Sequence, residues 1–153
     1  MKTLYNYLIL VLLVVINSSC LKAGLDELET YDQNDITNVR FEYRWWDETN
    51  KRLRVIEMSV EKTIDNDKKE IYCSIHVPAA NETFTAAIRE QVSLQTLAIN
   101  VDASTAVRIS PVGNAPQMGT FPADFSAKEF TYKVVAGNGD TANWTITISD
   151  FSK

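Results

Sequence analysis

Histidine and cysteine are almost missing from this chain, and their scarcity removes whole classes of chemistry. There is one histidine, His76, and two cysteines, Cys20 and Cys73. A closed zinc site draws four ligands from such residues, and these cannot supply them. A Ser-His-Asp site would have to be built around His76, yet no nucleophile-elbow motif accompanies it. His76 reads instead as an exposed residue on the polar phase of a strand. Asp65-Asn66-Asp67 lacks the glycine and the distal glutamate of an EF-hand loop, so it reads as a hairpin turn. No pair of acids stands in a glycosidase-like motif. The chain is therefore expected to be non-catalytic, with no metal and no cofactor. Positive charge is also short: 15 Lys and Arg against 20 Asp and Glu leave a net −5. An acidic domain has no electrostatic route to nucleic acid. No polybasic segment is present to hold anionic lipid.

Long hydrophobic runs are missing too. The apolar stretch from Leu8 to Ile16 is too short to span a bilayer comfortably. It follows Lys2 and leads into Asn17-Ser18-Ser19-Cys20, which makes a secretory signal peptide. Small serines directly before a cysteine resemble a bacterial lipoprotein signal. That resemblance implies cleavage before Cys20 and acyl chains on Cys20, so that residues 1–19 are the leader. Asn17 departs from the family pattern, which prefers an apolar residue there; Val15-Ile16 offer that grip one place earlier. Two alternatives stand beside it: a plain secreted protein cut near Ser18 or Ser19, and a Cys20–Cys73 disulfide. If Cys20 carries lipid, Cys73 is alone and reads as a buried structural thiol.

After Cys20 comes an acidic stretch with Asp26, Glu27, Glu29, Asp32 and Asp35 and few large apolar residues. Residues 20–35 are expected to be a solvated tether, and residues 36–153 a single domain, long enough to bury one core. From Ile36 the pattern alternates with period two. Val39, Phe41, Tyr43 and Trp45 share one face, and Arg40, Glu42, Arg44 and Trp46 the other, as in a half-buried strand. Asp47–Asn50 is a turn. In the return strand Leu53 and Val55 share one phase and Ile56, Met58 and Val60 the other, which predicts a β-bulge near Val55-Ile56. Ile71, Cys73, Ile75 and Val77 alternate up to Pro78. Phe84, Ile88 and Val92 fall at helical spacing, with Asn81 as a candidate N-cap. Leu97, Ile99 and Val101 resume the strand pattern. Val107 and Ile109 follow, with Pro111 expected to stop that strand. Val112–Pro122 is a loop. Phe130, Tyr132, Val134 and Ala136 alternate, Gly137–Asp140 turns, and Trp144, Ile146 and Ile148 face inward. About seven short strands without a long helix predict an all-β, antiparallel, immunoglobulin-like sandwich.

The C-terminal third carries a further pattern: Pro111-x-Gly113, Asp124-Phe125-Ser126, Phe130 to Ala136, Gly139, then Trp144-Thr145-Ile146-Thr147-Ile148. It resembles the last strands of immunoglobulin-like domains in lipoproteins of Bacteroidota-type bacteria, many of them of unknown function. The resemblance implies that Asp124 and Phe125 fix a corner and that Trp144 packs between the sheets. It brings no catalytic residue. It also implies an outer-membrane setting near glycan-uptake machinery, which is association and not mechanism.

The expected function is a non-catalytic accessory or protein-interaction lipoprotein, held at the outer membrane by its lipid. The alternative is a carbohydrate-binding module, for which Trp46, on the outward phase beside a turn, is the candidate stacking residue. The partner is thus an envelope protein or a glycan. Asp140-Thr141-Ala142 resembles the short pattern used for O-glycosylation in these bacteria and makes Thr141 a candidate acceptor.

Overall fold

The computed structural model of the protein describes residues 31–153, so the leader, Cys20 and most of the expected tether lie outside the described residues. Two sheets pack face to face as a β-sandwich. The first has the order β2 (Arg52–Glu57), β1 (Ile36–Asp47), β5 (Ala98–Ala103). The second has the order β3 (Ser59–Asp65), β4 (Glu70–His76), β8 (Thr141–Ser152), β7 (Glu129–Val135), β6 (Arg108–Val112). Among the described residues a single short helix, α1 (Ala86–Gln91), links β4 to β5.

Period two is what builds the core. Val39, Phe41 and Tyr43 of β1 and Ile99 of β5 face Ile71, Cys73 and Ile75 of β4 and the inner residues of β7 and β8, all of them buried. Phe125 joins the layers at the corner ahead of β7. Its ring meets Phe41 and Phe130 edge-on at 5.4 and 5.2 Å, the arrangement aromatic quadrupoles favour. Asp124 Oδ1 accepts the Ser126 N–H and holds the corner closed. Trp144 is fully buried, and its indole N–H donates to the Asn34 carbonyl at 2.9 Å. The corner and core roles implied by the resemblance are met at all three residues.

Four local expectations are corrected. No bulge lies at Val55-Ile56: β1 and β2 keep an unbroken register from Glu42↔Glu57 to Asp47↔Arg52. The phase change arises because Leu53 and Val55 face solvent, while Ile56 and Met58 face in and Met58 carries the chain from the first sheet to the second. A register shift is found elsewhere, between β4 and β8, where Ser149 drops out of step and its hydroxyl donates to the Cys73 carbonyl. Those two strands also run parallel, so the sandwich is not wholly antiparallel; their long connection leaves direction free, as a hairpin would not. Pro111 lies within β6 instead of stopping it, because β6 is an edge strand and a proline there breaks no ladder on its open side. Finally, Asn81 caps a turn at Phe84, and the helix begins later with Thr85 as its N-cap, whose hydroxyl accepts from Ile88.

The chain enters the sandwich at one end. Tyr31 accepts the Asn138 N–H from the β7–β8 turn, and Asp35 pairs with Lys69 at 2.6 Å. The last five residues of the expected tether are therefore tied to this end. At its other end β1 runs into the Asp47–Asn50 turn. The path from Ile36 to Trp45 is about 30 Å at a rise of ~3.3 Å per residue.

Candidate functional site

The far end of the sandwich is not closed, and the reason lies in how β5 leaves β1. The two strands pair only from Ile36 to Glu42, which lies opposite Ala98. Before Ala98 the chain peels away: Leu97 bridges to Ala123, and the Thr96 N–H donates to Ser93. Residues Tyr43 to Asp47 thus have β2 on one side and no strand on the other. The space beside them is a hollow of about 470 Å³, bordered by Tyr43, Trp45, Trp46, Ile88 and Phe121. A second hollow of about 430 Å³ lies across Trp45 and Trp46, bordered by the Asp47–Asn50 turn, Arg54 and Glu82 to Thr85. Together they form one groove crossing the tryptophan pair.

A row of rings runs along it. Trp45 lies between Tyr43 (6.1 Å, near-parallel) and Phe84 (5.6 Å, tilted). Tyr43 meets Phe121 edge-on at 5.7 Å. Each ring is fixed from behind. The Tyr43 hydroxyl donates to Gln91, and partial burial raises its pKa. The Arg44 guanidinium sits 6.0 Å from the centre of the Phe121 ring, donates to the Gly119 carbonyl at 3.0 Å, and is neutralised by Glu42. The loop carrying Phe121 is anchored at its other end by Tyr132, whose buried hydroxyl donates to Pro116 at 2.9 Å. Burial moves that phenol far above its ordinary pKa. Such a supported aromatic surface is pre-organised for binding.

The sequence-predicted residues fall unevenly around this groove. Trp46 is 53% exposed and faces outward, as its strand phase predicts. Trp45 shares a face with Val39, Phe41 and Tyr43, a phase that predicts core packing, yet it is only half-buried. It keeps the inward phase, but at this end there is no β5 to cover it, so its ring lines both hollows. Opposite Trp46 on β2 is Leu53 (60% exposed), and opposite Arg44 is Val55 (51% exposed). Trp46, Leu53 and Val55 make an apolar patch on the outer face, continuous with the groove. Ile88 stood out in the sequence only as part of a helical face, and Thr96 and Phe121 not at all; no local signal marks the three as site residues, since they meet only in the fold.

The other candidates lie elsewhere. Thr141 is exposed at the start of β8, at the opposite end. His76 is half-buried, with Nδ1 against the Ser152 hydroxyl. Cys73 is buried between the sheets, and burial pushes its thiol up to about 11, which leaves little thiolate for reaction. Asp65 accepts the Asp67 and Lys68 N–H groups and so closes its turn. Among the described residues no three of His, Cys, Asp and Glu gather to hold a metal. None of the described helices is long and apolar enough to cross a membrane.

Comparison with known proteins agrees with this architecture. The sequence matches the DUF5018-related family over residues 36–147, and the chain belongs to that family. It is similar to the crystal structure of a "putative secreted protein" from Bacteroides fragilis NCTC 9343. The two share 30% sequence identity and superpose with a TM-score of 0.70, covering 82% of this chain and all of the other. No curated protein matches the sequence.

Proposed function

We propose that this DUF5018-related chain is a non-catalytic interaction module of the cell envelope, lipid-anchored through Cys20, that binds its partner in the groove at the Trp45–Trp46 end. The observation that carries the reading is the continuity of that groove with the Trp46, Leu53 and Val55 patch. Contiguous exposed apolar surface rimmed by polar groups marks protein contact sites, and tryptophan is enriched at their centres. The chain enters at the Tyr31 end, so a lipid on Cys20 puts the membrane there and turns the groove away from it. Several acyl chains, at ~0.8 kcal/mol per buried CH₂, make a stable anchor where one does not.

A second reading is carbohydrate binding. It is favoured by the exposed Trp46 indole and by the amide and hydroxyl groups of Asn50 and Thr83 beside it. Sugar rings stack on such faces.

The two separate in one experiment. A photo-crosslinking amino acid is placed at position 46 and, as a control, at the exposed Lys133 on the second sheet, in intact cells. The purified domain is screened on a glycan array in parallel. The interaction reading predicts a discrete protein adduct from position 46, absent from position 133, in the membrane fraction. A Cys20→Ser chain should leave that fraction. Glycan binding lost in Trp46→Ala, with no protein adduct, would replace the first reading by the second.

A further inference from the structure

We infer that the partner contributes an extended polypeptide segment which adds to the free edge of β1 as a further strand. This rests on the groove being the interaction site. Along a strand, N–H and C=O of one residue point to the same side, and the side alternates with each residue. The Phe41 carbonyl accepts the Met58 N–H, and the Val39 carbonyl accepts from Lys62, so odd-numbered residues address the β2–β3 side. Arg44 and Trp46 therefore direct their backbone groups the other way, into the groove. No strand pairs with β1 there beyond Glu42, and outside the β1–β2 ladder no backbone hydrogen bond of Arg44 or Trp46 is found among the described residues.

An open edge is usually guarded. On the first sheet the β5 edge is covered by backbone bonds from Gly119 and Ala123. On β2 the inward-facing Arg54 is held by Asp47, a charge that discourages pairing. The Tyr43–Asp47 edge has neither device. It lies instead at the bottom of an aromatic groove.

That combination specifies the occupant's chemistry. Two unpaired donors and two unpaired acceptors at a strand's repeat match another peptide backbone, which is how strand addition gains affinity. A sugar has no such repeat. The free edge is about 13 Å long at ~3.3 Å per residue, which accommodates four or five residues. The side chains of an added strand alternate. One phase enters the space beside Tyr43, Trp45 and Ile88 and must be apolar. The other lies outside, against Trp46 and the Arg44 stem. The partner is therefore a segment with apolar residues at alternate positions, in a region free to extend.

The test uses a random heptapeptide display library selected on the immobilised domain. The tightest groove-dependent peptide is then synthesised with single N-methyl groups along its backbone. Strand addition predicts a period-two pattern: methylation at every second residue weakens binding at least tenfold, and the intervening positions tolerate it. It also predicts that bound peptide slows amide hydrogen exchange at Arg44 and Trp46. Binding that ignores methylation phase and leaves those two amides unprotected overturns the inference. So does a library with no groove-dependent binder. In either case a crosslink at position 46 would still uphold the interaction site, with a folded surface as the partner; its absence would remove the site as well.

Discussion

The three tryptophans show how one residue type takes three roles. Trp144 is enclosed by both sheets, with its N–H satisfied by Asn34 and the Lys69 ammonium 5.3 Å from the centre of its ring. Truncating it removes a large buried ring and strands a carbonyl. Trp144→Ala should therefore cost about 3–5 kcal/mol, a large share of a domain's stability, measurable by denaturant unfolding. A change under ~1 kcal/mol would place the ring outside the core. Trp46 is open to solvent, and its loss should leave folding nearly unchanged. Trp45 lies between these limits. Strand phase puts it with Phe41 and Tyr43, and phase alone cannot tell that pairing with β5 ends at Glu42, three residues earlier. The periodicity of β1 thus made its buried face legible, but not the point where that face becomes a site wall.

At the level of elements, the β1–β2 hairpin decides whether the groove keeps its shape. Asp47 holds it: one carboxylate oxygen accepts the Asn50 N–H, the other accepts from the Asn50 amide and from Arg54. These bonds, with Asn50 the largest influence, lower the Asp47 pKa to about 2. A depressed carboxyl stabilises the fold above its unfolded value, about 3.9, and loses that contribution as pH falls through its folded value. Wild type should therefore be more stable than Asp47→Ala at pH 6, and the gap between their unfolding midpoints should narrow from about pH 4 towards pH 2. A gap that persists unchanged at pH 2 would show that the carboxylate charge is not what holds the turn. The turn itself was readable in Asp47–Asn50. The sheet switch at Met58 was not: a phase reversal and a bulge look alike until the partner strands are known. The parallel β4–β8 pair was hidden for the same reason, because no local residue pattern records which distant strands become neighbours.

The whole molecule has two ends with different chemistry. At one, residues 31–35 and the β3–β4 and β7–β8 turns tie the incoming chain to the sandwich. At the other, segments from residues 43–54, 82–96 and 121–122 converge on the groove. The core, the class of fold and the exposed Trp46 are legible in the sequence. The groove is not, because its walls are far apart along the chain and carry no individual signal. The account rests on binding at the second end, and the indole N–H signals report that end directly. There are three of them, from Trp45, Trp46 and Trp144. A ¹⁵N-labelled domain is titrated with the ligand that the library or the glycan array yields, and the three signals are followed. The account predicts that those of Trp45 and Trp46 shift in proportion to occupancy while that of Trp144 stays in place. A ligand that binds yet leaves the Trp45 and Trp46 signals unmoved would contradict it.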